Sequence, residues 1–343
     1  MNVVAGSSPL GGLIAILLAL FGLLGPSAPA RSRPVRISAR AAGLRTARVG
    51  AAAPRGPQSA FAVGIRTLRF VDHSRTVQLP GQKPSARTLV TVIRYPAVGP
   101  VSAVDRPGAP AARAGGPFPL VIFGHGFAVT PGPYAQLLEA WARAGYVVAA
   151  PIFPLGNANA AGGPNEADIV NQPRDMSFVI SRMLALSAGH RGLFAGLIAS
   201  HEIAVSGQSD GGETALATAY DQHYLDRRVR AAVILSGAQL PGAGFAFPSP
   251  SPPLLASQGT ADTINRPVNT YRFFNAAPRP KFLLGLLGAS HLPPYTTEEP
   301  QLGIVERVTI AFLDRYLKGS PRALARMNAA GNLRGIASLQ ADP

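Results

Sequence analysis

From Leu120 onward the chain alternates two kinds of segment, and this alternation constrains the fold more than any other feature of the sequence. Leu120 to Phe123 (LVIF) is a continuous apolar run, the pattern of a strand buried on both faces. Tyr134, Leu137, Leu138, Trp141 and Ala144 then recur at helical spacing, and Tyr146 to Ala150 (YVVAA) returns to strand. Met176, Val179, Ile180, Met183 and Leu184 form a second apolar stripe, which predicts a helix over 175–186. Further strands are expected at 203–206, 229–235, 254–257 and 282–287, with helices at 210–220 and around Val305 to Tyr316. Strands that alternate with helices need right-handed crossovers, so the expected class is α/β, a mostly parallel central sheet with helices on both faces. Upstream, 61–70 and 88–95 alternate in the manner of an antiparallel hairpin.

Of the 343 residues, 47% are hydrophobic and only 14% charged, which is enough apolar material for one large core and too little charge for a disordered protein. The formal net charge of +15 is unevenly placed, because nine arginines from Arg31 to Arg69 precede the first acid, Asp72. No aromatic residue interleaves with them before Phe61, so the stretch reads as a solvated linker over 31–60. It is expected to make at most weak contact with anionic surfaces, and nucleic acid is not an expected partner. The apolar run 10–24 followed by Ala28-Pro29-Ala30 has the form of a signal peptide over 1–30, which predicts a secreted or cell-envelope protein cleaved near Ala30. A retained N-terminal membrane anchor is the alternative, since arginines follow the run rather than precede it. The catalytic domain is placed at 61–320, a C-terminal tail at 321–343, and a monomer is expected. With no cysteine, disulfides and thiolate chemistry are excluded.

Catalysis by a serine needs a hydroxyl lifted from its surroundings, a base, and donors aimed at the developing oxyanion. Gly207-Gln208-Ser209-Asp210-Gly211-Gly212 is a G-x-S-x-G turn between a predicted strand and a predicted helix, which makes Ser209 the candidate nucleophile. Upstream, LVIF runs into Gly124-His125-Gly126-Phe127, so the backbone N–H groups of Phe127 and Asp210 are expected to form the oxyanion hole. Gly126, Phe127 and Tyr134 are expected to contact substrate. His125 is read as structural because its glycine neighbours point to a loop shaped for close backbone approach. In such folds the acid and the histidine follow the serine. His223 lies in the polar stretch DQHYLDRR, whereas His291 follows a predicted strand and so belongs at the carboxyl edge of the sheet. Asp262, directly after the strand 254–257, is the acid placed to orient that imidazole. His201-Glu202 lacks further ligands at workable spacing, so neither metal nor cofactor is expected.

Through GHGF at 124–127, GQSDGG at 207–212, GTAD at 259–262 and GASH at 288–291, the segment from Phe61 to Leu317 resembles the α/β-hydrolase superfamily. Within it the resemblance is to cutinase-like polyester hydrolases and to esterases of the platelet-activating-factor acetylhydrolase and dienelactone hydrolase kinds. The acetylhydrolase pattern would put the acid after the strand that follows the elbow helix, where this chain reads Ser236-Gly237-Ala238-Gln239, so the cutinase-like position at Asp262 is favoured. The resemblance implies cleavage of a small-molecule or lipid carboxylic ester through an acyl-enzyme. Action as a lipase, acetylhydrolase or polyester hydrolase is one alternative, and a non-catalytic binder on the same scaffold is another.

Overall fold

The computed structural model describes residues 60–343 apart from 243, 245 and 246. The expected signal peptide, and all of the expected linker but its last residue, lie outside the described residues. The described chain opens with β1 (Ala62–Val77) and β2 (Ser85–Ala97), then a two-residue strand β3 (Arg106–Pro107). Next come β4 (Phe118–Gly124), α1 (Ala135–Arg143), β5 (Val147–Ile152), a 3-10 turn over Glu166–Asn171 and α2 (Gln172–Ala188). The chain continues as β6 (Ile198–Gln208), α3 (Asp210–Tyr220), β7 (Val229–Leu235), β8 (Leu254–Gly259) and α4 (Pro267–Ala276). It closes with β9 (Lys281–Leu286), α5 (Gln301–Tyr316), α6 (Ala323–Gly331) and β10 (Ala337–Asp342).

All ten strands join one sheet in the order β10-β9-β8-β7-β6-β4-β5-β2-β1-β3. From β5 through β9 each neighbouring pair is parallel, while the β1–β2 hairpin, the β2–β5 contact and the β9–β10 edge are antiparallel. The reason for the unbroken LVIF run is visible in its packing. Leu120 and Ile122 enter the core beneath α2, α3 and α4, and Val121 and Phe123 enter the core beneath α1 and α5. A strand covered on both faces has no solvent-facing position to spend on a polar residue. Each of these fully buried side chains contributes on the order of 1.5–3 kcal/mol.

The chain reverses direction across the sheet at β4, which has β5 on one side and β6 on the other. At such a switch point the loops leaving the carboxyl ends diverge and open a crevice. The two loops that diverge here are 124–134 and the turn at Ser209.

The segment 321–343, expected as a tail, is part of the domain. It folds as α6 and as β10, which pairs with β9 from Ala337↔Leu286 to Asp342↔Lys281. Only Ala337 and Leu339 of β10 point inward, too little alternation to register as a strand in sequence. A second unexpected element is α4, whose buried positions are Thr270, Phe273 and Phe274, a stripe too thin to show helical periodicity.

Arg87 of β2 is 1% exposed and ties three elements together. Its Nε and Nη2 donate to Asp175 of α2 at 2.7 and 2.6 Å, and Nη1 and Nη2 donate to Asp168 of the 3-10 turn at 3.0 and 2.7 Å. This bidentate pairing fixes the connection between β5 and α2, which borders the crevice.

Candidate active site

The turn after β6 puts Ser209 at φ 56° and ψ −125°, a strained conformation for a residue with a Cβ. The surrounding glycines are obligatory for a steric reason. A Cβ on Gly207 would collide with Gly211 O, and one on Gly211 would collide with Gly124 O. The backbone of α3 therefore presses directly on the loop that leaves β4, and the two Gly-rich motifs are halves of one contact. The Ser209 N–H donates to Leu235 O at 3.0 Å, which anchors the turn to β7.

Two further loops meet Ser209 from the far side of the sheet. The loops after β8 and β9 are stitched together by Thr260 N–H to Leu286 O at 2.9 Å, Ala261 N–H to Ala289 O at 3.0 Å and Gly288 N–H to Thr260 Oγ1 at 2.8 Å. They bring His291 Nε2 to 2.9 Å from Ser209 Oγ and His291 Nδ1 to 2.7 Å from Asp262 Oδ2. Asp262 is 3% exposed, and its other oxygen accepts the N–H groups of Ile264 and Asn265 at 2.9 and 3.0 Å. A carboxylate held by backbone donors cannot rotate away, so the Nδ1 proton stays on its side of the ring. Nε2 is then the free lone pair, facing the serine hydroxyl.

A solved ferulic acid esterase from Streptomyces cinnamoneus superposes on the chain with a TM-score of 0.57 at 22% sequence identity, over 78% of this chain and 93% of that one. The fold is that of the α/β hydrolases. A chlorophyllase family model matches residues 108–239 of this chain, a span that includes the loop after β4 and the turn at Ser209 but stops short of Asp262 and His291. No curated protein matches the chain.

In this protein the loop after β4 is held from below. His125 is buried, and its Nε2 accepts the Phe153 N–H at 3.0 Å, which leaves Nδ1 as the protonated nitrogen, donating to Gly126 O at 2.8 Å. Burial pushes its pKa down to about 4, so the ring is neutral at neutral pH. His223 is exposed on the surface near Arg174. Tyr134, expected to contact substrate, is instead fully buried against Phe123. Its hydroxyl accepts the Gly126 N–H at 3.3 Å and donates to Gln208 Oε1 at 2.7 Å, so it supports the loop rather than lining the cleft. Gly126 is also buried, and a Cβ there would press on Gln208 Oε1 at 2.9 Å and Ser209 Cβ at 3.3 Å. Phe127 is half-buried, and its N–H meets no acceptor among the described residues.

Two glutamines were not legible as site residues. Gln208 Nε2 donates to His291 O at 3.1 Å and lies 3.2 Å from His291 Nε2, while Gln258 Nε2 donates to Asp262 Oδ2 at 3.2 Å. Each is the last or next-to-last residue of a strand that delivers a neighbour to the site, and that position is the one signal that could have found them. Asp210 begins α3 with its carboxyl buried, and burial together with Glu166 raises its pKa to about 7. Burial and Asp210 raise that of Glu213 to about 8.

Proposed function

We propose that the chain is a carboxylic ester hydrolase that works through an acyl-enzyme on Ser209. The observation that carries this reading is the continuous hydrogen-bonded path from Ser209 Oγ through His291 to Asp262, at 2.9 and 2.7 Å. In the proposed cycle His291 Nε2 removes the Ser209 proton as Oγ attacks the ester carbonyl, and Asp262 stabilises the imidazolium. The oxyanion is received by the N–H groups of Phe127 and Asp210, at the positive end of α3. His291 returns the proton to the departing alcohol, and water then repeats the attack on the acyl-enzyme.

Both likenesses point the same way, since the fold neighbour is a ferulic acid esterase and the family model is that of chlorophyllase, an esterase family of this type. Among the described residues the connection 236–253 carries no helix or strand, which favours an open cleft and a soluble or modest acyl ester over a lid-gated lipid. Secretion, with removal of the segment before Arg31, is the proposed location.

A panel of p-nitrophenyl esters from acetate to palmitate tests the reading, with fluorophosphonate labelling alongside. Turnover and labelling at Ser209 are expected together. Stoichiometric ester binding with neither would replace the hydrolase reading with that of a binding protein.

A further inference from the structure

The amide of Gln208, the residue before the candidate nucleophile, is held in one orientation. The Tyr134 hydroxyl accepts the Gly126 N–H at 3.3 Å, so its single proton goes to Gln208 at 2.7 Å, and the atom that receives it is Oε1. Burial pushes the pKa of that hydroxyl up, which keeps the proton in place. On the other side stands the backbone carbonyl of His291, which can only accept, at 3.1 Å from Gln208 Nε2. Gln208 is 1% exposed, so the amide has no solvent-facing alternative.

The second proton on Gln208 Nε2 is the one that bears on the reaction. Gln208 Nε2 lies 3.2 Å from His291 Nε2, the nitrogen that also faces Ser209 Oγ at 2.9 Å. In the resting site the one lone pair of His291 Nε2 therefore faces two donors. Once His291 has taken the Ser209 proton that lone pair is gone, and an N–H of Gln208 points at an N–H of the imidazolium. A flipped amide would offer Oε1 to that proton instead. The flip is opposed at both ends, because it sets Oε1 against the His291 carbonyl and turns Nε2 towards the Tyr134 proton.

We propose that Gln208, oriented by Tyr134, is a positioning residue that presents only a donor to His291 Nε2, so that the imidazolium proton is kept for the leaving alcohol. The proposal rests on the ester-hydrolase reading. In the step concerned the C–O bond of the tetrahedral adduct breaks with its electron pair on the alkoxide oxygen, and the oxyanion reforms the carbonyl. His291 Nε2 passes its proton to the alkoxide and the ring ends neutral. An alkyl alkoxide needs that proton to leave. p-Nitrophenolate leaves without it, because its charge is delocalised into the ring.

The test is the ratio of kcat/KM for ethyl butyrate, followed by pH-stat, to that for p-nitrophenyl butyrate. Both rates come from one preparation, so any misfolded fraction cancels. Gln208→Glu keeps an acceptor for Tyr134 and replaces the donor with a carboxylate that holds the imidazolium proton, and the ratio should fall about tenfold or more. Tyr134→Phe keeps the ring against Phe123 and frees the amide to turn, so the ratio should fall about fivefold without a new charge in the site. In the double variant the ratio should be no lower than in Gln208→Glu alone. A ratio that stays within about twofold of the unmodified protein's in either single variant, whatever the fall in both rates, would overturn the proposal, because a merely structural role slows the two esters alike. Turnover of neither ester by the unmodified protein would overturn the hydrolase reading itself, and the proposal with it.

Discussion

The backbones of Gly124 and Gly211 meet so closely that no side-chain carbon fits at Gly211 without striking Gly124 O. This contact sets the spacing between the loop after β4 and the first turn of α3, and with it the gap in which an oxyanion would sit. Gly211→Ala should therefore separate the Phe127 and Asp210 N–H groups. We expect a loss of kcat on p-nitrophenyl butyrate of about a hundredfold or more, comparable to losing one oxyanion donor. Steady-state kinetics check this, and an unchanged kcat would show that the two motifs are independent.

His125 gives a pH dependence whose sign is fixed by its environment. Burial lowers its pKa from 6.5 to about 4, so between these values the unfolded chain binds the proton and the folded one does not. Stability should fall as pH drops through that window, by about 3 kcal/mol in total for this residue. Urea denaturation at pH 7 and pH 4.5 measures it. In His125→Gln the pH-dependent loss should shrink, whatever the effect on stability at pH 7.

Arg87 has two buried acids depending on it. Arg87→Met leaves Asp168 without its bidentate partner and Asp175 with Arg75 alone, and should cost about 3–5 kcal/mol. Adding Asp168→Asn and Asp175→Asn removes the stranded charges and should recover part of the loss. Denaturation midpoints of the single and triple variants read both effects, and a single variant as stable as the parent protein would contradict the assignment.

Asp262→Asn keeps an oxygen for the N–H groups of Ile264 and Asn265, so the loop should hold its shape. The amide now offers an N–H towards His291 Nδ1, which favours the tautomer that puts a proton on Nε2 and disables the base. A fall in kcat of about 10³- to 10⁴-fold is expected, with little change in thermal midpoint. A loss of less than tenfold would mean that another acid orients the imidazole.

Much of the sheet was legible because its central strands are buried on both faces, and continuous apolar runs such as LVIF have few other uses in a soluble chain. The helix 210–220 and the strand 229–235 have the bounds their periodicity predicts. The residues of the site were legible through glycine, which marks where backbones touch, and through the order of serine, aspartate and histidine along the chain. What escaped was long-range or weakly periodic. Nothing near Arg87 in sequence announces Asp168 and Asp175. β10 turns only two residues inward, and Tyr134 sits on a helical stripe whose depth below the cleft depends on how α1 packs.

We expect the hydroxyl of Ser209, activated by His291, to form the acyl-enzyme. Intact-mass spectrometry of the protein quenched during turnover of a slow p-nitrophenyl ester tests it directly. A single acyl adduct is expected on the peptide that contains Ser209, with neither adduct nor turnover in Ser209→Ala. Ester turnover that persists unchanged in Ser209→Ala would contradict it.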